Sequence, residues 1–126
     1  MKVRTLLAVG AMLAMAGQSA TALAQDAASG EKVFKKCKAC HSLEAGKSKI
    51  GPSLAGIVGK SAASAEGFTK YSDALKSSGV VWDEASLDSF LAKPKDFIPG
   101  NKMKFAGLKK EDQRKDVIAY LKQAAQ

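Results

Sequence analysis

Histidine, cysteine and methionine are all scarce in this 126-residue sequence. It has one histidine, two cysteines and four methionines, and only one methionine lies beyond residue 15. A zinc site needs about four ligands, and the chain has no further histidine or cysteine to complete one. The two cysteines lie three positions apart, so a disulfide between them would close a loop too short to constrain the unfolded chain.

Strand-like patterns, internal repeats and low-complexity tracts are also missing beyond the first 24 residues. No segment alternates apolar and polar residues for long enough to form a strand. The length of residues 25–126 suits one small domain. The sequence therefore predicts a single all-helical domain over 25–126.

The first 24 residues have the features of a cleaved secretory signal peptide. Lys2 and Arg4 precede an apolar run, and Ala22-Leu23-Ala24 is a small-residue cleavage site. An uncleaved membrane anchor is the alternative, because residues 5–24 are uncharged and about long enough to span a bilayer. The small polar residues in the last third of this segment favour cleavage and export to the periplasm.

Basic residues outnumber acidic ones in the exported chain. Without Lys2 and Arg4 it keeps eighteen cations, seventeen of them lysine, against 12 acidic residues, a formal charge of +6. Nucleic-acid binding fits this charge poorly, because aromatic residues are few and do not alternate with basic ones. An acidic protein surface or an anionic membrane face is the better-supported partner.

Apolar spacing and cap signals predict four helices separated by glycine-rich loops. The predicted helices, in order, are 26–40 with Ser29 as its cap, 71–78 stopped by Gly79, 84–92 capped by Asp83 and ended by Pro94, and Glu111–Ala124. The predicted inner faces are Leu87, Phe90 and Leu91 in the third helix, and Val117, Tyr120, Leu121 and Ala124 in the last.

The stretch KKCKACHS at 35–42 contains both cysteines and the histidine. A thioredoxin-like redox pair is one interpretation, but that motif belongs on a βαβ scaffold, which this sequence does not predict. The spacing of Cys37, Cys40 and His41 is instead typical of covalent haem attachment. Cysteines three apart near a helix end project to the same side, so both thiols can bind one haem while the adjacent imidazole binds its iron.

A second iron ligand is predicted at Met103. With no second histidine in the chain, the one methionine outside the leader is the remaining soft ligand. A methionine that merely fills a gap in the core is the alternative. Met103 lies between lysines in the stretch PGNKMKFAGL, in a predicted loop rather than on an apolar helix face, which favours the ligand.

Several stretches together resemble class I cytochrome c, of the mitochondrial type and its bacterial periplasmic relatives, over residues 26–124. They are GEKVFKKCKACH, GPSLAGIVG, YSDALK, GVVW, FIPGNKMKFAGL and DVIAYLK. The resemblance implies an all-α fold in which about four to five helices wrap around one covalently attached haem c. It also implies that Gly30 lets the first helix approach the last, where Phe34 and Tyr120 meet.

The resemblance implies further contacts to the haem and its ligands. In these, the Pro52 carbonyl accepts from the His41 ring, Tyr71 and Trp82 donate to one haem propionate, Asn101 reaches the other, and Phe105 covers the haem edge beside Met103.

Three positions depart from the mitochondrial pattern. Phe90 stands where a tyrosine can hydrogen-bond the methionine sulfur, Lys60 where an arginine lies near the propionates, and Leu75 where an asparagine joins a water network. Each change removes a polar contact near the haem. For Phe68, Phe90 and Phe97, plain core packing is the expected role.

The ligand set predicts an electron carrier rather than an enzyme. An iron with two protein ligands, His41 and Met103, has no open position for a substrate, and no spare histidine is left for acid–base work. The expected function is a soluble, monomeric, periplasmic mono-haem cytochrome that carries single electrons from a quinol-oxidising cytochrome complex to a terminal oxidase or photosynthetic reaction centre. The alternatives are a dedicated electron acceptor of one periplasmic dehydrogenase and, if Met103 detached, a ligand sensor or weak peroxidase.

Redox partners with acidic docking surfaces follow from the lysines. A cationic surface around the haem edge would steer the protein onto such partners. The resemblance places six lysines there: Lys36, Lys49, Lys95, Lys102, Lys109 and Lys110. A merely solvated surface is the alternative for these residues.

Overall fold

The computed structural model describes residues 26–124, so the predicted signal peptide and its cleavage site lie outside the described residues. Five helices follow in chain order: α1 (Ala27–Phe34), α2 (Asp73–Lys76), α3 (Glu84–Ala92), α4 (Pro94–Phe97) and α5 (Glu111–Ala124). The only β pairing within 26–124 is an isolated bridge between Ser61 and Val81, so the all-α prediction is confirmed. None of the described helices has the length and apolar character needed to cross a membrane.

The crossing of α1 and α5 holds the two ends of the described chain together. A Cβ atom at Gly30 would collide with the Asp116 carbonyl oxygen and lie 2.8 Å from Tyr120 Cβ, so only glycine permits this approach. The rings of Phe34 and Tyr120 meet beside it, with centroids 5.4 Å apart. The predicted role of Gly30 and the predicted Phe34–Tyr120 contact are both confirmed.

The core consists of two clusters of buried side chains. The first is Phe34, Leu108, Val117 and Leu121, and the second is Trp82, Leu87, Ile98 and Ile118. Ile57, Val58 and Leu91 are partly buried and pack against both clusters. The long segment between α1 and α2 therefore contributes to the core although it contains no helix.

The ends of α3 and α5 agree with the prediction. Asp83 caps α3, because its Oδ1 accepts the Ser86 N–H at 2.8 Å, and Ser86 Oγ in turn accepts the Asp83 N–H at 3.0 Å. Pro94 does two things: α3 stops before it, and α4 begins with it as a first-turn proline. The prediction that Pro94 ends this helix is confirmed, while α4 was not predicted.

The predictions for α1, α2 and the inner face of α5 need correction. The α1 helix stops at Phe34 rather than residue 40, and residues 35–40 form turns. Its cap is Asp26, whose Oδ1 accepts the Ala28 N–H at 3.0 Å, and Ser29 only donates to Asp26 Oδ2 at 2.7 Å. The α2 helix is one turn long, and on α5 the exposed Ala124 lies off the inner face that Ile118 joins.

Candidate haem site

The turns after α1 bring the two cysteines and the histidine together. The Cys37 carbonyl accepts the N–H of Cys40 at 3.1 Å and that of His41 at 2.9 Å, so all three residues share one helical turn. Both thiols are free and half-buried. Burial raises the pKa of the Cys37 thiol, and the nearby Cys40 thiol raises it further. Both cysteines can therefore reach one apolar ligand on the same side of the chain.

Pro52 fixes the His41 imidazole in one tautomer. The ring Nδ1 lies 2.8 Å from the Pro52 carbonyl oxygen, which can only accept, so Nδ1 carries the hydrogen and Nε2 keeps its lone pair. Burial lowers the pKa of His41, although the hydrogen bond to Pro52 opposes that change. A neutral ring with a free Nε2 is the form that binds a metal.

Gly51 presses against the His41 ring, and the sequence alone did not single it out. A Cβ atom there would lie 2.5 Å from His41 Cε1 and 2.9 Å from Nδ1. The Gly51 N–H donates to the Cys40 carbonyl at 2.8 Å, which ties this loop to the cysteine turn. Its only signal in the sequence is a glycine directly before the proline that contacts the ring.

Met103 is half-buried in the irregular segment between α4 and α5. The Asn101 Oδ1 accepts the Met103 N–H at 3.0 Å, and the Asn101 amide donates at 2.8 Å to the carbonyls of both Pro94 and Ile98. Phe105 follows and packs against the same core cluster as Cys37. The cysteine turn and the methionine loop thus share one hydrophobic cluster.

Tyr71 is partly buried outside the two core clusters, whereas Trp82 is buried in the second of them. The Tyr71 hydroxyl accepts the Ala65 N–H at 3.0 Å, which leaves its own hydrogen free to donate. Burial raises the pKa of Tyr71, with the hydrogen bond from Ala65 opposing it, so the phenol is protonated at neutral pH. The Trp82 ring is buried, and its centroid lies 5.0 Å from that of Phe90. Their donation to a propionate stays a prediction.

The positions that depart from the mitochondrial pattern have ordinary partners. Phe90 packs between Trp82 and Phe97, with the second centroid 6.4 Å away. Lys60 Nζ donates to the Ala55 carbonyl at 3.0 Å, and Leu75 packs against the cluster of Trp82. Phe90 therefore fills space in the core.

The residues present fit a covalently attached haem. Two thiols on one turn, a neutral imidazole and a thioether are soft or borderline donors, and six partly buried apolar side chains pack against the same buried cluster as Cys37. These side chains are Leu43, Leu54, Ile57, Val58, Leu91 and Phe105. Within 26–124 no group of three or more His, Cys, Asp and Glu side chains could hold a bare metal ion.

The six lysines that were predicted to dock partners are all exposed. Lys49 is the most constrained of them, because its Nζ donates to the Lys38 carbonyl at 2.9 Å. Ile50 beside it is 78% exposed, far more than the other large apolar side chains. Exposure is what docking requires of these residues, while their encounter with a partner stays a prediction.

Comparisons with known proteins agree with this geometry. The family described as Cytochrome c matches residues 27–125. The chain is 50% identical over 113 residues to cytochrome c2 of Blastochloris viridis, covering 89% of this chain and 88% of that protein. It is 52% identical over 107 residues to cytochrome c of Chlamydomonas reinhardtii, covering 83% and 95%. The structure of cytochrome cH from Methylobacterium extorquens superposes with a TM-score of 0.73 at 51% identity, covering 77% of this chain and 97% of that one.

Proposed function

Because the chain belongs to the cytochrome c family, we propose that it is a periplasmic electron carrier whose iron is bound by His41 and Met103. The family and the C-x-x-C-H spacing give it one haem c, attached covalently through Cys37 and Cys40. Bound haem supplies the iron that accepts and releases one electron at a time. The residues of this chain supply ligands, burial and orientation.

The observation that carries the proposal is the contact between His41 and Pro52. The Pro52 carbonyl, 2.8 Å from Nδ1, keeps the hydrogen on that nitrogen and leaves the lone pair of Nε2 available to donate to a metal. Burial keeps the ring neutral, because it lowers the pKa of His41. A ligand prepared in this way needs no rearrangement when the charge on the iron changes.

We propose no enzymatic role. His41 is the only histidine, and its Nδ1 is already hydrogen-bonded, so it is not free to move protons for a substrate. If Met103 supplied the second ligand, a bound haem iron would have no open coordination position. Both features support electron transfer without chemistry on a bound molecule.

The proposed partners are a quinol-oxidising cytochrome complex as donor and a terminal oxidase or photosynthetic reaction centre as acceptor. Exposed lysines and a formal charge of +6 without the leader favour partners with acidic docking surfaces. The similarity to cytochromes c2 from several bacteria supports a diffusing carrier. A dehydrogenase that co-purified as a stable complex would favour the alternative of a dedicated acceptor.

An absorption spectrum of the exported protein tests the proposal. We expect a low-spin c-type spectrum on reduction and, in the ferric protein, the weak far-red band of iron bound to methionine sulfur. Haem without that band would exclude Met103 as a ligand. Protein without covalent haem after competent maturation would exclude the whole proposal.

Sequencing the mature N-terminus tests export, since cleavage predicts a chain that begins at residue 25.

A further inference from the structure

The loop that carries Met103 has almost no backbone hydrogen bonds of its own. Over residues 102–107, the Met103 N–H is the one main-chain group with a partner in the part of the chain that the structure describes. That partner is the side chain of Asn101. The conformation of the loop therefore depends on what holds its two ends.

The downstream end is fixed by two helices. Arg114 of α5 donates from Nη1 to the carbonyls of Leu108 at 2.9 Å and Lys109 at 3.1 Å, and its Nε pairs with Asp88 of α3 at 2.8 Å. The Leu108 N–H donates to the Leu91 carbonyl at 2.7 Å. Several contacts therefore hold the downstream end, and the loss of one of them leaves the others in place.

The upstream end is held by one main-chain hydrogen bond, from the Asn101 N–H to the Ile98 carbonyl at 3.2 Å, and by the side chain of Asn101. Asn101 bonds at once to both ends of α4, through the carbonyls of Pro94 and Ile98, and to the backbone of Met103. Its half-buried amide thus donates both of its hydrogens and accepts one. Beyond it, Lys102 and Lys104 are exposed and hold nothing in place.

We propose that Asn101 is a positioning residue for Met103, an inference that rests on the proposed binding of iron by Met103. Methionine is unbranched and has three rotatable bonds, so its sulfur is well placed only if its backbone is fixed. The amide of Asn101 supplies the missing constraint through the Met103 N–H.

This role differs from the propionate contact that the resemblance implies for Asn101. Both amide hydrogens are already donated at 2.8 Å to main-chain carbonyls. A propionate could receive one only by displacing Pro94 or Ile98. The positioning role uses the oxygen of the amide and the propionate role its nitrogen, so substitutions can separate them.

The test compares two variants of the haem-loaded protein with a control. Asn101→Leu keeps the size of the side chain and removes its three side-chain hydrogen bonds. Asn101→Ser keeps a short side-chain oxygen that can accept the N–H two residues on. Gln113→Leu is the control. The side-chain amide of Gln113 is half-buried and makes no hydrogen bond to the described residues. The measurements are the ferric far-red absorbance, the reduction potential and the thermal midpoint.

We expect Asn101→Leu to lower the far-red absorbance at least about twofold and to lower the potential, because three hydrogen bonds are lost. We expect Asn101→Ser to keep most of both, and Gln113→Leu to match the wild type. Full absorbance with an unchanged potential in Asn101→Leu would overturn the inference. So would an Asn101→Ser variant that loses the band as completely as Asn101→Leu. A wild-type protein without the band would instead overturn the proposed ligation itself.

Discussion

At the scale of single residues, the His41 ring depends on two neighbours with opposite requirements. Pro52 must offer its carbonyl to Nδ1, and Gly51 must offer no side chain at all. Gly51 lies outside the left-handed region, so alanine is acceptable to its backbone and only the ring opposes it. The orientation of the proposed ligand is thus set by contact and not by backbone strain.

The substitution Gly51→Ala should displace the His41 ring. The added Cβ would lie 2.5 Å from Cε1, and moving the ring stretches its hydrogen bond to Pro52. We expect a loss of about 1–3 kcal/mol in the free energy of unfolding and a change in the low-spin spectrum. Chemical denaturation and absorption spectroscopy measure the two effects.

Gly46→Ala is the control for that substitution. Gly46 has a positive φ of 75° and nothing within 4 Å of a Cβ, so alanine there costs backbone energy without touching the site. It should lower stability and leave the spectrum unchanged. A Gly51→Ala protein with a wild-type spectrum would mean that the ring does not depend on this contact.

At the scale of helices, local signals suffice for some ends and fail for others. Asp83, Ser86 and Pro94 are all close to the ends of α3, so the sequence predicts that helix correctly. The start of α1 offers two competent caps, Asp26 and Ser29. Asp26, which acts as the cap, also makes a distant contact: its N–H donates to Asp116 Oδ1 at 2.9 Å, 90 positions away along the chain.

The same limit applies to the site. The sequence predicts Cys37, Cys40 and His41, because their spacing along one turn is itself the signal. It cannot reveal that Gly51 presses on the His41 ring, since that contact forms only when the Gly51 loop packs on the cysteine turn. The bonds of Asn101 to the carbonyls of Pro94 and Ile98 are local, but they depend on α4, which the sequence did not predict. Helical spacing also misplaced Ala124, which the path of α5 leaves exposed.

The cap of α3 should make stability depend on pH in the acid range. The N–H of Ser86, with help from its hydroxyl, lowers the pKa of Asp83 from its usual 3.8. A carboxylate with a depressed pKa stabilises the fold fully above 3.8, and this stabilisation is lost as the pH falls through the lower folded value.

Asp83→Ala should therefore have a lower thermal midpoint than the wild type at pH 7, and the two midpoints should approach each other as the pH falls below the lowered pKa of Asp83. Asp83→Asn is the matched variant, because it keeps an oxygen that can cap the helix but does not titrate in this range. It should lie nearer to the wild type at pH 7. A constant difference between Asp83→Ala and wild type at every pH would contradict the assignment.

The crossing of α1 and α5 makes a sharper prediction at Gly30. In an isolated helix, alanine is about 1 kcal/mol better than glycine. Here its Cβ would collide with the backbone carbonyl of Asp116, which cannot rotate away. We expect Gly30→Ala to lose about 3 kcal/mol or more in the free energy of unfolding.

Gly79→Ala is the control, because it has the energetic cost of an unfavourable backbone conformation without a steric collision. Gly79 has a φ of 67° and open space around a Cβ, so we expect a loss of only about 1–2 kcal/mol. Equal losses in the two variants, or a gain in Gly30→Ala, would show that the helices do not meet as closely as described. Urea denaturation of both proteins gives the comparison.

At the scale of the whole molecule, the position of a positive charge should affect the rate of electron transfer more than the total charge does. Lys36 belongs to the six proposed docking lysines, whereas Lys76 lies 3.9 Å from Asp73 on α2 and is not among them. Each of the substitutions Lys36→Gln and Lys76→Gln removes one exposed positive charge. Any difference between them reports where the partner binds.

We expect Lys36→Gln to slow electron transfer to an acidic redox partner about two- to threefold at low ionic strength, and Lys76→Gln to leave the rate unchanged. Near 1 M salt, where the Debye length is about 3 Å, all three proteins should react at the same slower rate. Stopped-flow kinetics over a salt series measures this. A rate that does not respond to salt would contradict docking by charge.

The contact between α1 and α5 also determines when the fold can be completed. Because α5 follows the other four described helices along the chain, the crossing at Gly30 cannot form until those helices have been synthesised and α5 has followed them. Until then Cys37 and Cys40, which follow α1 directly, belong to an open chain and are accessible to whatever attaches the haem. The fold is therefore completed only after α5 has been synthesised, and haem can be attached to the two cysteines before that time.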